Sequence, residues 1–145
     1  MLEWNHKFEV GIERIDAQHH IFLSLVGEFQ NARLAGASIE KLDSILNEIV
    51  LYAKYHFYSE VNVMKTYRYP GMEAHQKLHF NLINDLSNKM TGLHLGLNQA
   101  IDIETFLIEW FVRHTTNEDA IFGRFALSAA HAAGLAEAGA QGESQ

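Results

Sequence analysis

Four stretches of this chain repeat apolar residues at the three- and four-residue spacing of an amphipathic helix, and no strand-type alternation competes with them. Short segments rich in glycine, asparagine or serine separate the stretches. Side chains that can accept hydrogen bonds from free backbone N–H groups mark the expected helix starts. We therefore expect helices at about 16–34, 38–65, 70–90 and from 102 onward, with Asp16, Ser38 and Asp102 as the N-caps.

Helices of about 20 residues joined by short connections favour antiparallel neighbours. The sequence thus predicts an all-α fold, an up-down-up-down antiparallel four-helix bundle with a short N-terminal arm. The fourth helix is expected to point Ile103, Phe106, Trp110 and Ile121 at the core. We expect the bundle to span residues 1–123, and the alanine- and glycine-rich residues 124–145 to form a flexible tail of frayed helix or disordered chain.

Composition limits the classes of function. The formal net charge of -7, without a long basic run, argues against a nucleic-acid partner. The opening residues carry scattered charges, and no apolar run is long enough to span a bilayer, so we expect a cytoplasmic protein with no membrane partner. Cysteine is absent, so any metal must be held by nitrogen and oxygen ligands. The nine histidines are the feature that needs an explanation.

Each expected helix carries a histidine in line with its apolar residues. These are His19, His56, His75 and His114. Glu60 follows His56 by one helical turn. His79 likewise follows His75, so each pair lies on one face of its helix. Asp119 is five residues beyond His114, about 140° around an α-helix, and we expect a longer reach of the carboxylate to reconcile the two positions.

A lone histidine on an apolar face is more often a satisfied core residue than a ligand. Burying five imidazoles and two carboxylates without partners, however, costs about 1 to 3 kcal/mol for each neutral group and more for each charge. That sum rivals the ~5 to 15 kcal/mol net stability of a domain. Seven ligands are too many for one tetrahedral zinc and suit two metals that share bridging carboxylates. The other four histidines are expected to face solvent: His6, His20, His94 in a loop, and His131 in the tail.

This ordered set of residues resembles the hemerythrin family, in particular its bacterial single-domain members. The likeness spans Trp4 to Phe122, and all seven candidate ligand positions hold the residue type of the family's pattern. A single H-x-x-x-E would say little, whereas the ordered set is specific. The motifs are the Trp4 opening, G-I-x-x-I-D-x-Q-H from Gly11 to His19, Y-x-x-x-H-F-x-x-E from Tyr52 to Glu60, the pair His75 and His79, and W-F-x-x-H-x-x-x-x-D from Trp110 to Asp119.

The resemblance implies two non-haem iron ions with a solvent-derived oxo or hydroxo bridge. One iron would take His75, His79 and His114, the other would take His19 and His56, and Glu60 and Asp119 would bridge both. The second iron would keep an open position for O2. By the same resemblance, the apolar pocket around that position is lined by Phe57, Trp110 and Phe111.

Thr115 and Thr116 depart from the family, which commonly has an aliphatic residue directly after the last histidine. Two interpretations stay open. Their hydroxyls can face the pocket and form a hydrogen bond to bound O2, or to a water that speeds autoxidation, or they can be ordinary threonines on the helix surface. Val61 replaces a frequent second glutamate of the family and leaves the ligand set intact.

Reversible O2 binding, for carriage, storage or delivery to an O2-using enzyme, is the function that the resemblance implies. Five neutral imidazoles and two carboxylates donate less negative charge than the carboxylate-rich di-iron enzymes, which disfavours high-valent iron. An O2-binding protein is therefore expected before an enzyme. The alternatives are an O2 or redox sensor with a signalling partner, a di-iron enzyme that reduces peroxide or nitric oxide, and a bundle with zinc or no metal.

Overall fold

The computed structural model describes residues 2–143, with side chains described through residue 134, and all regular structure in that range is helical. A 3₁₀ turn, His6–Phe8, precedes the first long helix. The helices are α1 (Glu13–Leu34), α2 (Ile39–Tyr67), α3 (Met72–His94), α4 (Ala100–His114) and α5 (Ala120–Glu143). A π-helical turn, Thr115–Asp119, joins α4 to α5 without a break in the helical backbone. No helix of the described residues is both long and apolar enough to cross a membrane.

Helix α1 packs on α2, α2 packs on α3, α3 packs on α4, and α1 also packs on α4. With α4, the π turn and α5 acting as one fourth helix, the elements form an antiparallel four-helix bundle, as the sequence predicted. The main core is built from buried aromatic and aliphatic side chains of all four helices. A smaller cluster around Met64, Phe122 and Ala126 continues the core beyond the π turn.

The helix starts confirm one predicted cap and correct two. The Ser38 hydroxyl accepts a hydrogen bond from the Lys41 N–H at 3.2 Å, as expected of an N-cap. Asp16 is not a cap, because α1 already begins at Glu13, and its carboxylate instead accepts the N–H groups of Val10 and Gly11 from the preceding arm. Asp102 lies inside α4, where its carboxylate reaches back to the Gln99 N–H at 2.9 Å.

Two further predictions were wrong. The third helix runs four residues past Met90 to His94, so His94 belongs to a helix and not to a loop. Ile121 is 48% exposed, while Phe122 is buried in its place. The π turn causes this difference, because it contains one residue more than an α turn and so displaces the following inward face by about 100°.

Beyond the π turn, α5 continues as helix to Glu143. Ala126 is still buried, although it follows the predicted bundle boundary at residue 123. The division into a bundle of 1–123 and a tail of 124–145 stays a prediction, and the last two residues lie outside the described part of the chain.

Candidate metal centre

The bundle brings together all seven side chains that the sequence singled out as ligands. Each of them is at most 4% exposed. They come from every helix of the bundle: His19 from α1, His56 and Glu60 from α2, His75 and His79 from α3, His114 from α4, and Asp119 from the π turn. Their ligand atoms form two overlapping groups, in each of which all atoms lie within 4.8 Å of one another. The two groups are Glu60, His75, His79, His114 and Asp119, and His19, His56, Glu60 and Asp119.

Glu60 directs one carboxylate oxygen to each group. Its Oε1 lies 2.6 Å from His75 Nε2 and 3.6 Å from His79 Nε2, both in the larger group. Its Oε2 lies 3.2 Å from His56 Nε2, in the smaller group. A carboxylate that bridges two metal ions needs one oxygen for each ion, and this is the orientation of Glu60.

Asp119 divides its oxygens in the same way. Its Oδ1 lies 2.9 Å from His75 Nε2 and 3.0 Å from His114 Nε2. Its Oδ2 lies 3.2 Å from His19 Nε2. The two carboxylates are therefore common to a group of three histidines and a group of two.

The π turn is what brings Asp119 into the centre. A π turn hydrogen-bonds residue i to i+5, so His114 and Asp119 come to lie one above the other. The expected longer reach of the carboxylate was therefore the wrong explanation, because the backbone changes and not the side chain. Single π turns inside α-helices are rare and occur frequently at functional sites.

The donor atoms of this cluster fit metal ions better than they fit one another. Both oxygens of Glu60, Asp119 Oδ1 and His75 Nε2 are buried and have no hydrogen-bond partner of acceptable geometry among the described residues. Imidazoles also face each other in two pairs. The Nε2 atoms of His19 and His56 are 3.1 Å apart, and those of His79 and His114 are 3.2 Å apart. Lone pairs that converge in this way are costly without a cation, and nitrogen and carboxylate donors suit iron, manganese or zinc.

Comparison with known proteins gives this centre a family. Residues 10–126 match the model of the hemerythrin HHE cation binding domain, which is most of the chain. The chain belongs to the hemerythrin family. Membership implies binding of non-haem iron and, typically, of O2.

The relatives are distant in sequence and close in fold. Bacteriohemerythrin of Pseudomonas aeruginosa (strain LESB58) is 26% identical over 119 residues, which cover 82% of this chain and 77% of the relative. Myohemerythrin of Theromyzon tessulatum is 23% identical over 119 residues, covering 81% of this chain and 87% of the relative. A crystal structure of wild-type hemerythrin gives a TM-score of 0.78 at 22% identity, over 87% of this chain and 98% of that one.

In this hemerythrin centre, buried charges of opposite sign offset one another. Burial and the charge of Asp119 both raise the pKa of Glu60, but the close imidazole nitrogens of His56 and His75 outweigh them and lower it. Burial would also raise the pKa of Asp119, yet the charge of His114 and the close imidazole nitrogens of His114, His19 and His75 hold it well below its usual range. Both carboxylates are thus ionised and ready to bind a cation.

The histidines of the hemerythrin centre differ in their affinity for protons. Burial lowers the pKa of His75, but the two carboxylates outweigh burial and raise it to about 9. Burial lowers the pKa of His79 to about 3, because the nearby charge of Glu60 does not offset it. A metal ion must therefore displace a proton from His75, whereas His79 is already neutral.

Gln18, the glutamine of the motif from Gly11 to His19, lies behind the centre, and no role was predicted for it from the sequence. Its Oε1 accepts a hydrogen bond from His56 Nδ1 at 2.7 Å, which leaves the Nε2 lone pair of His56 directed at the cluster. Its Nε2 donates to Ser59 Oγ at 2.9 Å, and the Tyr52 hydroxyl donates to its backbone carbonyl. The signal was its place beside His19, about 100° around α1 toward α2.

Aromatic rings cover the imidazoles of the centre. The contacts are Phe57 stacked on His79 (centroids 3.7 Å apart), Trp110 stacked on His114 (4.5 Å) and Phe111 edge-on to His19 (5.6 Å). Each of the three residues predicted to line an apolar pocket thus packs against a candidate ligand. Their role toward O2 stays a prediction.

The two threonines after His114 occupy different environments. Thr115 is buried at 1% exposure, beside the centre in the π turn. Thr116 is half-buried, and its hydroxyl donates to the Val112 carbonyl at 2.7 Å. The hydroxyl proton of Thr116 is therefore already engaged, which makes Thr115 the better placed of the two to contact a ligand.

The remaining histidines face solvent, as predicted, and three of them have contacts at the surface. His6 Nδ1 lies 2.9 Å from Glu9 Oε1, and His94 Nε2 lies 2.9 Å from Asp43 Oδ1. His20 stacks on Trp4 with ring centroids 3.5 Å apart, and His131 is exposed on α5. These positions contribute nothing to the metal centre.

Proposed function

We propose that this chain binds O2 reversibly at a non-haem di-iron centre with a solvent-derived oxo or hydroxo bridge, as a carrier, store or delivery module in the cytoplasm. The proposed ligands are His75, His79 and His114 for one iron and His19 and His56 for the other, with Glu60 and Asp119 bridging the two. When bound, the iron pair would supply the electrons that hold O2.

The division of the two carboxylates between unequal histidine groups is the observation that carries this proposal. Both groups share the same bridges, so the group of two histidines offers one protein ligand fewer than the group of three. One metal is thereby left with a coordination position that no side chain fills. A small ligand such as O2 can bind there without displacing a protein ligand.

The surroundings favour holding O2 over splitting it. Phe57, Trp110 and Phe111 pack around the imidazoles, and a water-excluding apolar wall slows proton transfer to a bound ligand. We propose that these three residues line the O2 pocket and that Thr115 and Thr116 border it. The predominance of neutral imidazoles over carboxylates also makes high-valent iron less accessible.

Reversibility is tested by loading the protein with ferrous iron without air, adding O2, and then removing the gas. A carrier gives ferric charge-transfer absorption bands that appear with O2 and disappear on its removal, while protein loaded with zinc gives none. Bands that persist after removal contradict reversible binding and favour the sensor or the enzyme. Steady turnover of peroxide or nitric oxide with an electron donor would identify the enzyme. Fractionation of cells that produce the chain tests the proposed location.

A further inference from the structure

A groove of about 500 Å³ lies on the outside of the bundle between α2 and α3. Its apolar and aromatic lining consists of Phe57, Tyr58, Val61, His79, Phe80 and Ile83. Tyr58 and Phe80 are 73% and 66% exposed, so two aromatic side chains on adjacent helices are left open to solvent. Exposed aromatic groups in a concave apolar surface are typical of the centre of an interface.

The charged residues that line the groove are both lysines. Lys54 and Lys65 lie on α2, and no carboxylate of the described residues belongs to the lining. The whole chain, in contrast, has a formal net charge of -7. A positively charged rim attracts and orients an acidic partner, and it repels a basic partner, even though the protein as a whole is negative.

The floor of the groove is one layer of side chains away from the metal centre. Phe57 and His79 line the groove, and their rings are parallel within 5° at a centroid distance of 3.7 Å. On its other side, His79 Nε2 lies 3.2 Å from His114 Nε2 and 3.6 Å from Glu60 Oε1. A redox group seated in the groove would be separated from the centre by these side chains alone, and electron transfer is fastest over short paths.

We propose that this groove is the docking site of an acidic one-electron carrier protein, which returns an oxidised centre to the ferrous state. The proposal rests on the proposed di-iron centre. Two reduced carriers dock in succession and each lose one electron, and the two ferric ions each gain one, so no covalent bond forms or breaks. Electron-transfer pairs use small interfaces with complementary charge, and a short apolar groove with a lysine rim fits that class.

The test compares two reductants of the same chemistry and opposite charge. They are the radical of methyl viologen, with charge +1, and the radical of propylsulfonate viologen, with net charge -1. Each reduces the ferric iron-loaded protein, and the decay of radical absorbance gives the rate. In the double variant Lys54→Glu, Lys65→Glu we expect the anionic radical to react about tenfold more slowly at low ionic strength and the cationic radical to react faster. High salt should remove both differences.

A matched control separates the groove from the net charge of the protein. Lys41 and Lys89 lie toward the opposite end of the bundle, and Lys41→Glu, Lys89→Glu makes the same change in net charge. We expect this variant to alter the two rates by less than about a third of the effect at the groove. Equal effects in both double variants, or no effect in either, would overturn the proposal.

A second measurement does not depend on iron. Hexacyanochromate(III), a paramagnetic and redox-inert trianion, broadens the NMR signals of amides near the place where it binds. Titrated into the protein as isolated, it should broaden signals around Lys54, Lys65 and Tyr58 first, and Lys54→Glu, Lys65→Glu should abolish this preference. Broadening that is uniform over the surface would contradict an anion-attracting groove. Broadening at the groove in a protein that never binds iron would show that the di-iron proposal has failed, while the docking surface for an acidic partner remains.

Discussion

The bundle buries carboxylates in two regions, and the carboxylates of the two regions differ in their hydrogen-bond partners. Glu104, on α4, is 4% exposed, and each of its oxygens has a donor, because Arg33 Nε lies 2.5 Å from Oε2 and Gln30 Nε2 donates to Oε1 at 2.8 Å. Glu60 and Asp119 are as deeply buried, but their ion-pair contacts are with imidazoles, and most of their oxygens lack a hydrogen bond of acceptable geometry. The charge of Glu104 is compensated by its protein neighbours, whereas the oxygens of Glu60 and Asp119 need a bound cation to compensate them.

This difference separates a structural buried charge from a ligand. A buried carboxylate is tolerated when a cation and hydrogen bonds compensate it, and Arg33 provides both for Glu104. Around Glu60 the chain places histidines, whose neutral rings offer lone pairs as readily as protons. Burial alone therefore does not identify a functional carboxylate, whereas unsatisfied oxygens facing several imidazoles do.

The largest expected effect is a difference in iron content between variants that neutralise one carboxylate in each region. Glu60→Gln removes a bridging donor and should lower the iron content from two ions per chain to one or fewer. Glu104→Gln should keep both ions and lower the free energy of unfolding by about 1 to 3 kcal/mol, the value of a charge-assisted hydrogen bond. Iron analysis and urea unfolding measure both effects. Equal iron content in the two variants would remove the distinction between the regions.

Removal of metal should destabilise the protein through the metal centre and not through the region around Glu104. A ligand present at a thousandfold excess over its dissociation constant stabilises a protein by about 4 kcal/mol, so the metal-free wild-type protein should unfold at a clearly lower urea concentration. The Glu104→Gln variant should show the same shift, and Glu60→Gln a much smaller one. Identical unfolding of the loaded and metal-free wild-type proteins would show that the cluster does not hold metal.

Each region contains a buried or half-buried glutamine whose substitution tests whether that region holds metal. Gln18 orients His56, so Gln18→Leu should weaken metal binding about 10- to 100-fold, as expected for the loss of a partner behind a ligand. Gln30→Leu, next to Glu104, should leave metal affinity unchanged and lower only stability. Competition with a chelator measures the affinities. A weaker centre in Gln30→Leu than in Gln18→Leu would argue against the positioning role of Gln18.

The smallest expected effect is a change in autoxidation rate on substitution of the two threonines beside the metal centre, Thr115 and Thr116. If Thr115 offers a hydrogen bond to the ligand or to a water, Thr115→Ile should slow autoxidation about two- to tenfold, the equivalent of one hydrogen bond. Thr116→Leu should change the rate less, because its hydroxyl already donates to Val112. Thr91→Val, a helix-surface threonine far from the centre, serves as the control. An unchanged autoxidation rate in the variant with both Thr115→Ile and Thr116→Leu would leave these residues as packing only.

Helical spacing predicted the bundle and the shared faces of the five histidines and Glu60, whereas Asp119 entered the predicted set through the resemblance to the hemerythrin family. The sequence did not reveal the π turn, since the five-residue separation of His114 and Asp119 fits either a changed backbone or a longer reach. The burial of Phe122 in place of Ile121 follows from the same turn. The role of Gln18 was not predicted, because its partner, His56, is distant in sequence and only the packing of α1 on α2 brings them together.

The most direct test of the account is a crystal structure of the iron-loaded protein with diffraction data from both sides of the iron absorption edge. We expect two anomalous peaks per chain, one beside His75, His79 and His114 and one beside His19 and His56, with Glu60 and Asp119 in contact with both. A single peak, or two peaks that share neither carboxylate, would contradict it.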